Sequence, residues 1–236
     1  MKKLTVLIAL VALMAVGCRM ARMAVPQSLT ADAAAMPVSG RTGFNVFDES
    51  ISFGPYNVTE VHRGWKVKSS FGFLGFSMNK ARQSFEFSIA DTQQQGRAEV
   101  QCSTGVKWKD IEGQLAGGTL TVNLQAHTLY ACSIKTQDAV WQLLMNEETG
   151  QVVMSGVLTD GETELAVKGT TKLEGSSFPL SDPTGYIIEL DGRPVAAVEV
   201  INAGAVWIKP DLGPELRLPV ASTASALLLY RDLDDQ

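Results

Sequence analysis

The chain has 236 residues, with 20 basic and 25 acidic side chains and a formal net charge of −5. The acid excess argues against a nucleic-acid binder, which needs a basic domain or stripe, and it supplies no polybasic patch for anionic lipid. The length is ample to bury a core and suits one medium domain, or two small ones sharing a sheet.

Lys2 and Lys3 open the chain with positive charge, and Leu4 to Val16 is uncharged and almost wholly apolar. That run is too short to cross a hydrocarbon core, which takes about 20 residues. It has the length of the apolar stretch of a signal peptide. It ends in Ala15-Val16-Gly17-Cys18. A lysine pair, an apolar run and small residues ahead of a cysteine, in that order, resemble the lipobox signal of bacterial lipoproteins, with Ala15 where that family usually has leucine. The resemblance covers residues 1–18 alone and suggests no family for the rest of the chain.

The resemblance implies a signal peptide over residues 1–17, cleavage before Cys18, a diacylglyceryl group on its sulfur and a further acyl chain on its new amino terminus. Two or three acyl chains on Cys18 would hold the protein to a membrane leaflet without a spanning helix, whereas one chain alone binds reversibly. In Gram-negative members, Asp after the cysteine favours retention at the inner membrane. Arg19 stands there instead, so the resemblance points to the outer membrane. Cleavage would remove two lysines and no acid, leaving 18 basic against 25 acidic residues, a balance of −7. An ordinary secretory signal, with Cys18 an incidental thiol, is the alternative.

Residues 18–42 follow as the lipidated cysteine and a tether, rich in Ala, Met, Ser and Pro and without a clear period. As a flexible coil this segment would span on the order of 25 Å. A short helix over Leu29 to Met36 is the other reading, because alanine favours helix. From about Gly43 the pattern changes to period two, and residues 43–236 read as one β-rich domain, with a subdivision near 136–138 as the alternative. Phe53-Gly54-Pro55-Tyr56 reads as a turn into a strand over Tyr56 to His62. In Ser84 to Ile89, Phe85, Phe87 and Ile89 face one way and polar side chains the other. Thr119 to Gln125 repeats the scheme, and Gly64 to Lys68 is a weaker version.

With Cys18 assigned to lipid, Cys102 and Cys132 remain, and an exported chain is expected to pair them. Ala98, Val100 and Cys102 share one face, and Tyr130, Cys132 and Ile134 share another, so both thiols point toward one interior. Two buried thiols left unpaired are the alternative. Metal binding has little support, because two cysteines and two distant histidines do not make a ligand spacing.

The second half reads as hairpins. Ala139 to Met145 and Gln151 to Leu158 flank Asn-Glu-Glu-Thr-Gly. Asp160-Gly161 leads into Thr163 to Lys168, and Asp191-Gly192 separates Gly185 to Leu190 from Pro194 to Ile201. Asn202-Ala203-Gly204 then precedes Ala205 to Ile208. Asp-Gly suits a two-residue hairpin because both central residues take positive φ. The fold expected is all-β, an antiparallel sandwich or barrel built from hairpins. A C-terminal helix over Pro219 to Leu233 completes it, with Val220, Ala224, Leu227 and Tyr230, widened by Leu228 and Leu229, as the stripe that packs on the sheet; a terminal strand over Ala226 to Tyr230 is the alternative.

No catalytic residue, cofactor or metal site is assigned. His62 and His127 lack a partner at motif spacing, and there is no nucleophile elbow, phosphate loop or His-Glu-x-x-His helix. Asp160, Glu162 and Glu164 could gather oxygens around Ca2+ but fit a solvated hairpin edge better. Phe71 to Phe76 is a glycine-rich apolar run that suits a core bend, a pocket lip or a membrane-touching loop. Trp65, Trp108, Trp141 and Trp207 could line a cavity, though large aromatics are mostly buried anchors. Lys66, Lys68, Lys80 and Arg82 fit the polar face of a strand and turn better than a phosphate site.

The function expected is therefore that of an envelope lipoprotein with a structural or binding role and no catalysis. Its partners would be the membrane, through acyl chains on Cys18, and another envelope protein or a lipid ligand. A barrel that holds a hydrophobic ligand is the first alternative, and an envelope enzyme the second.

Overall fold

The computed structural model describes residues 20–41, 50–64, 72–73, 76–77, 83–104, 129–147 and 153–230. Among them, strands β1 (Met36–Pro37), β2 (Ile51–Phe53) and β3 (Tyr56–Arg63) precede a small hairpin of β4 (Gly72–Phe73) and β5 (Phe76–Ser77). Then come β6 (Gln83–Asp91), β7 (Arg97–Thr104), β8 (Leu129–Lys135), β9 (Val140–Glu147), β10 (Met154–Thr159) and β11 (Glu164–Thr170). β12 (Gly185–Leu190), β13 (Arg193–Glu199) and β14 (Ala205–Ile208) finish the strands. Two helices accompany them, α1 (Gln27–Thr30) and α2 (Pro214–Leu229).

Twelve of these strands make one antiparallel sheet in the order β1-β14-β13-β12-β11-β10-β9-β8-β7-β6-β3-β2. The two edges meet at Ser39 and Ser52, which exchange both backbone hydrogen bonds at 2.9 and 3.0 Å. Between sandwich and barrel, the chain has chosen the barrel. Closure removes the unpaired edges that a flat sheet would expose. The strand number is even, so every neighbour round the ring can be antiparallel.

The strands form where the sequence alternates. On β7, Ala98, Val100 and Cys102 are buried while Arg97, Glu99 and Gln101 are exposed. Phe85, Phe87 and Ile89 on β6 and Trp141, Leu143 and Met145 on β9 point the same way, into one core. At Asp191-Gly192 the hairpin turn takes φ of 50° and 72°, the positive pair that Asp-Gly tolerates. The β8–β9 hairpin runs through 136–138, with the Thr136 N–H on the Ala139 carbonyl at 3.0 Å.

α2 lies inside the barrel. It touches β7 and β8 on one wall and β13 and β14 on the opposite one. From Pro219 to Leu229 every residue is buried, on all faces of the helix. Geometry accounts for this. Twelve strands spaced about 4.8 Å apart and tilted about 40° enclose a ring about 24 Å across. A helix about 11 Å thick then leaves room for one layer of wall side chains. Small residues such as Ala221, Ala224 and Ala226 fit that width. The buried hydroxyls of Ser222 and Ser225 donate back to the Leu218 and Ala221 carbonyls at 2.7 and 2.8 Å.

The helix differs from the expected one in extent and in packing. It begins at Pro214, whose missing N–H costs nothing at the first helical position. Pro219 is thus an interior residue and leaves the Glu215 carbonyl without its helical donor. A stripe takes the residues of one face, whereas a lumen buries those of every face, Ser222, Thr223 and Ser225 included.

The tether expected from residues 18–42 also differs where it is described. Residues 20–35 run as a strap over the outer face of β12, β13 and β14. Met23, Leu29 and Ala33 bury against Ala197, Ala205 and Trp207. Arg22 Nε donates to both oxygens of the Glu199 carboxylate at 3.0 and 2.9 Å. The strap is irregular apart from α1, so it has no period to read. It folds because β12 to β14 carry apolar residues on both faces.

The connections 54–55, 92–96, 136–139, 160–163 and 191–192 fall at one end of the barrel, the turn end, where α2 also enters. β3, β7, β9, β11 and β13 run to the other, the loop end, where the described connections 171–184 and 200–204 lie.

Candidate functional site

The described chemistry of the loop end gathers around the last turn of α2. The Tyr130 hydroxyl, fully buried, donates to the Ala226 carbonyl at 2.9 Å, and its ring lies 4.9 Å from that of Tyr230. Arg63 donates to the Leu229 carbonyl at 2.8 Å, with its guanidinium 5.3 Å above the Phe85 ring. A cation at a helix C-terminus satisfies carbonyls that have no helical donor and opposes the helix dipole. Burial pushes the Tyr130 phenol well above its ordinary range, and the neighbouring phenols of Tyr186 and Tyr230 push the same way. These groups anchor the helix and leave no nucleophile beside a base.

Cys102 and Cys132 face each other across β7 and β8 and form a disulfide, with Cα atoms 4.1 Å apart. Tyr130 lies close by, its hydroxyl 3.5 Å from the Cys102 sulfur. The structure thus brings together the pair singled out in the sequence. The hydroxyls of Thr104 and Thr223 are buried without a hydrogen-bond partner among the described residues.

Other residues singled out in the sequence are scattered. His62 is exposed on β3. The Asp160 carboxylate caps its own turn, accepting from the Glu162 and Thr163 N–H groups at 3.0 and 2.8 Å. Among the described residues no cluster of His, Cys, Asp or Glu could hold a metal ion. Trp141 points into the barrel and Trp207 outward under the strap, so these two share no cavity. Phe73 and Phe76 belong to the β4–β5 hairpin, in a connection that leaves and rejoins the barrel at the loop end. Cys18, Trp65, Trp108, His127, Lys66, Lys68, Lys80 and Arg82 lie outside the described residues, as does the strand expected over 119–125.

Two titrating groups stand apart from the loop end. Burial, with help from the Asp91 charge, pushes the Tyr56 phenol up to about 12. On the outer wall, the Ser88 hydroxyl at 2.7 Å and the Arg97 guanidinium at 3.0 Å hold the Glu60 carboxyl below its usual value of 4.5.

Sequence reasoning missed the 171–184 connection. Phe178 is 82 % exposed and Leu180 40 %, against the rule that a large apolar side chain seeks cover. Their signal is visible in Ser176-Ser177-Phe178-Pro179-Leu180-Ser181, where an apolar pair stands among turn formers with no alternation to bury it. The same connection holds the start of the strap. The Ala24 N–H donates to the Lys172 carbonyl at 3.0 Å, and the Glu174 N–H to the Arg22 carbonyl at 2.9 Å.

Among the described residues no helix is long and apolar enough to cross a membrane. Comparison with protein-family models, with curated proteins and with solved structures finds no match to this chain.

Proposed function

We propose that the protein is an acyl-anchored envelope protein with a structural or binding role, and that its loop end is its contact surface. The observation that carries this reading is the lumen filled by α2, buried on every side from Pro219 to Leu229. A filled lumen leaves the rim as the place to meet a partner, and the 171–184 connection with its exposed Phe178 and Leu180 is there. The anchor rests on the run from Lys2 to Cys18, with Arg19 favouring the outer membrane. Mass spectrometry of the mature amino terminus tests it. Cys18 should carry acyl chains in the wild type, and Cys18→Ser should leave the membrane fraction. An unmodified terminus at another residue overturns the anchor.

The second reading is a barrel that holds a hydrophobic ligand. The closed, apolar-lined wall supports it. It requires α2 to give way, because the helix occupies the space a ligand would take. Saturable, one-to-one binding of an apolar fluorescent probe to the folded wild type, with loss of the contacts of α2, would favour this reading over the first.

A further inference from the structure

The strap changes what an anchor at Cys18 can do. A coil over residues 18–42 would let the barrel swing well away from the bilayer. Arg22 is instead pinned to Glu199 and to the 171–184 connection. Arg22 lies four positions after Cys18, a reach of at most about 14 Å. The side of the loop end that holds Arg22 therefore stays within that distance of Cys18.

The part of the rim nearest the anchor exposes large apolar side chains among polar ones such as Arg22, Lys172 and Glu174. Met20 is 68 % exposed beside the pinned Ala21, whose carbonyl accepts from Asn202 Nδ2 at 2.7 Å. Phe178 stands out to solvent from a loop whose backbone is tied down. The Leu180 N–H reaches the Thr171 carbonyl at 2.9 Å, and the Ser176 hydroxyl bonds both the N–H and the carbonyl of Phe178 at 3.1 and 3.0 Å. A single exposed apolar side chain needs no explanation, but three on two segments that the Arg22 and Ala24 backbone bonds join mark a contact. Exposed Arg22 and Lys172 are offset there by Glu174 and Asp182, so the attraction is apolar and not a matter of anionic headgroups.

We infer that Met20 and the Phe178-Pro179-Leu180 tip seat in the headgroup boundary of the leaflet that carries the Cys18 acyl chains. The barrel then stands with its loop end on the membrane and its turn end away from it. This rests on the anchor proposed above and names the partner of the same rim. Apolar side chains at that depth lie several ångströms below the headgroups, deep enough for a lipid-borne quencher to reach.

The test uses the full acylated chain in vesicles. With Cys18 acylated and Cys102 bonded to Cys132, a cysteine introduced at Ser177 or Asp138 takes an environment-sensitive fluorophore by itself. The Ser177→Cys probe should shift to the blue and be quenched by spin-labelled lipid several-fold more than the Asp138→Cys probe at the turn end. Raised salt should leave the difference unchanged. Adding Phe178→Ser and Leu180→Ser should abolish the shift while the chain stays on the vesicles. Acylated, vesicle-bound protein whose 177 probe reads as aqueous overturns the seat and spares the anchor. Absence of acyl chains by mass spectrometry removes both.

Discussion

Tyr130 and Tyr56 show what a single phenol contributes in this barrel. Both rings fill space against α2 or the turn end, and both hydroxyls are costly to ionise where they sit. Each folded value lies above the unfolded one of 10.0, with Tyr56 at about 12 and Tyr130 higher in direction. Their contribution to stability is therefore complete below pH 10 and is lost as pH rises through the folded values. An absorbance titration of tyrosinate should show fewer than the chain's four tyrosines ionising before alkaline unfolding, with the rest appearing together as the barrel opens. Smooth ionisation of all four in the folded protein would contradict the buried placement. Glu60 works in the opposite sense, since its lowered value gives a contribution present above 4.5 and lost as pH falls.

At the scale of elements, the strap and α2 are the two additions that turn a meander into a closed body. The strap is fastened at Glu199, whose side chain is only 2 % exposed while that of Arg22 is 48 % exposed. Arg22→Ala would leave a buried carboxylate with the Met23 N–H, at 3.3 Å, as its remaining donor among the described residues. The loss should be about 1–3 kcal/mol, below that of a fully buried pair because water reaches the arginine. Urea unfolding measures it, and limited proteolysis should show new cutting within residues 20–35. A variant as stable and as protease-resistant as wild type would mean that the apolar contacts of Met23 and Leu29 suffice. The strap was illegible in the sequence for a physical reason. Its partners, Ala197, Ala205 and Trp207, face outward, and alternation assigns no cover to an outward face.

For the whole molecule, the question is what holds a ring whose closing seam is short. β1 has two residues, and a single bridge links Ser39 to Ser52. Far round the ring, the disulfide joins β7 to β8 across a separation of 30 residues. Closing a loop of that length in the unfolded chain contributes about 3–4 kcal/mol on the chain-entropy estimate. Cys102→Ala with Cys132→Ala should lower the unfolding free energy by that amount, read as a lower denaturation midpoint, and a reducing agent should do the same to the wild type and nothing to the double variant. An unchanged midpoint on reduction would mean that the packed helix and wall carry the region alone.

Period-two alternation and Asp-Gly turns sufficed to place most of the described strands and their all-β class, because both are local properties that a side chain's neighbours impose. β12 and β14 even have the bounds that the alternation implies, and the cysteine pair could be aimed at one interior from the same pattern. Alternation says which residues share a face, but not how far the sheet curls or what covers it. The entry of α2 into the lumen and the docking of the strap join residues far apart in the chain, and the closure at Ser39 and Ser52 needs β14 and β3 already brought round to the two edges. Only the tertiary structure could decide them, because each depends on the width of the ring and on the apolar surface left bare once the strands have paired.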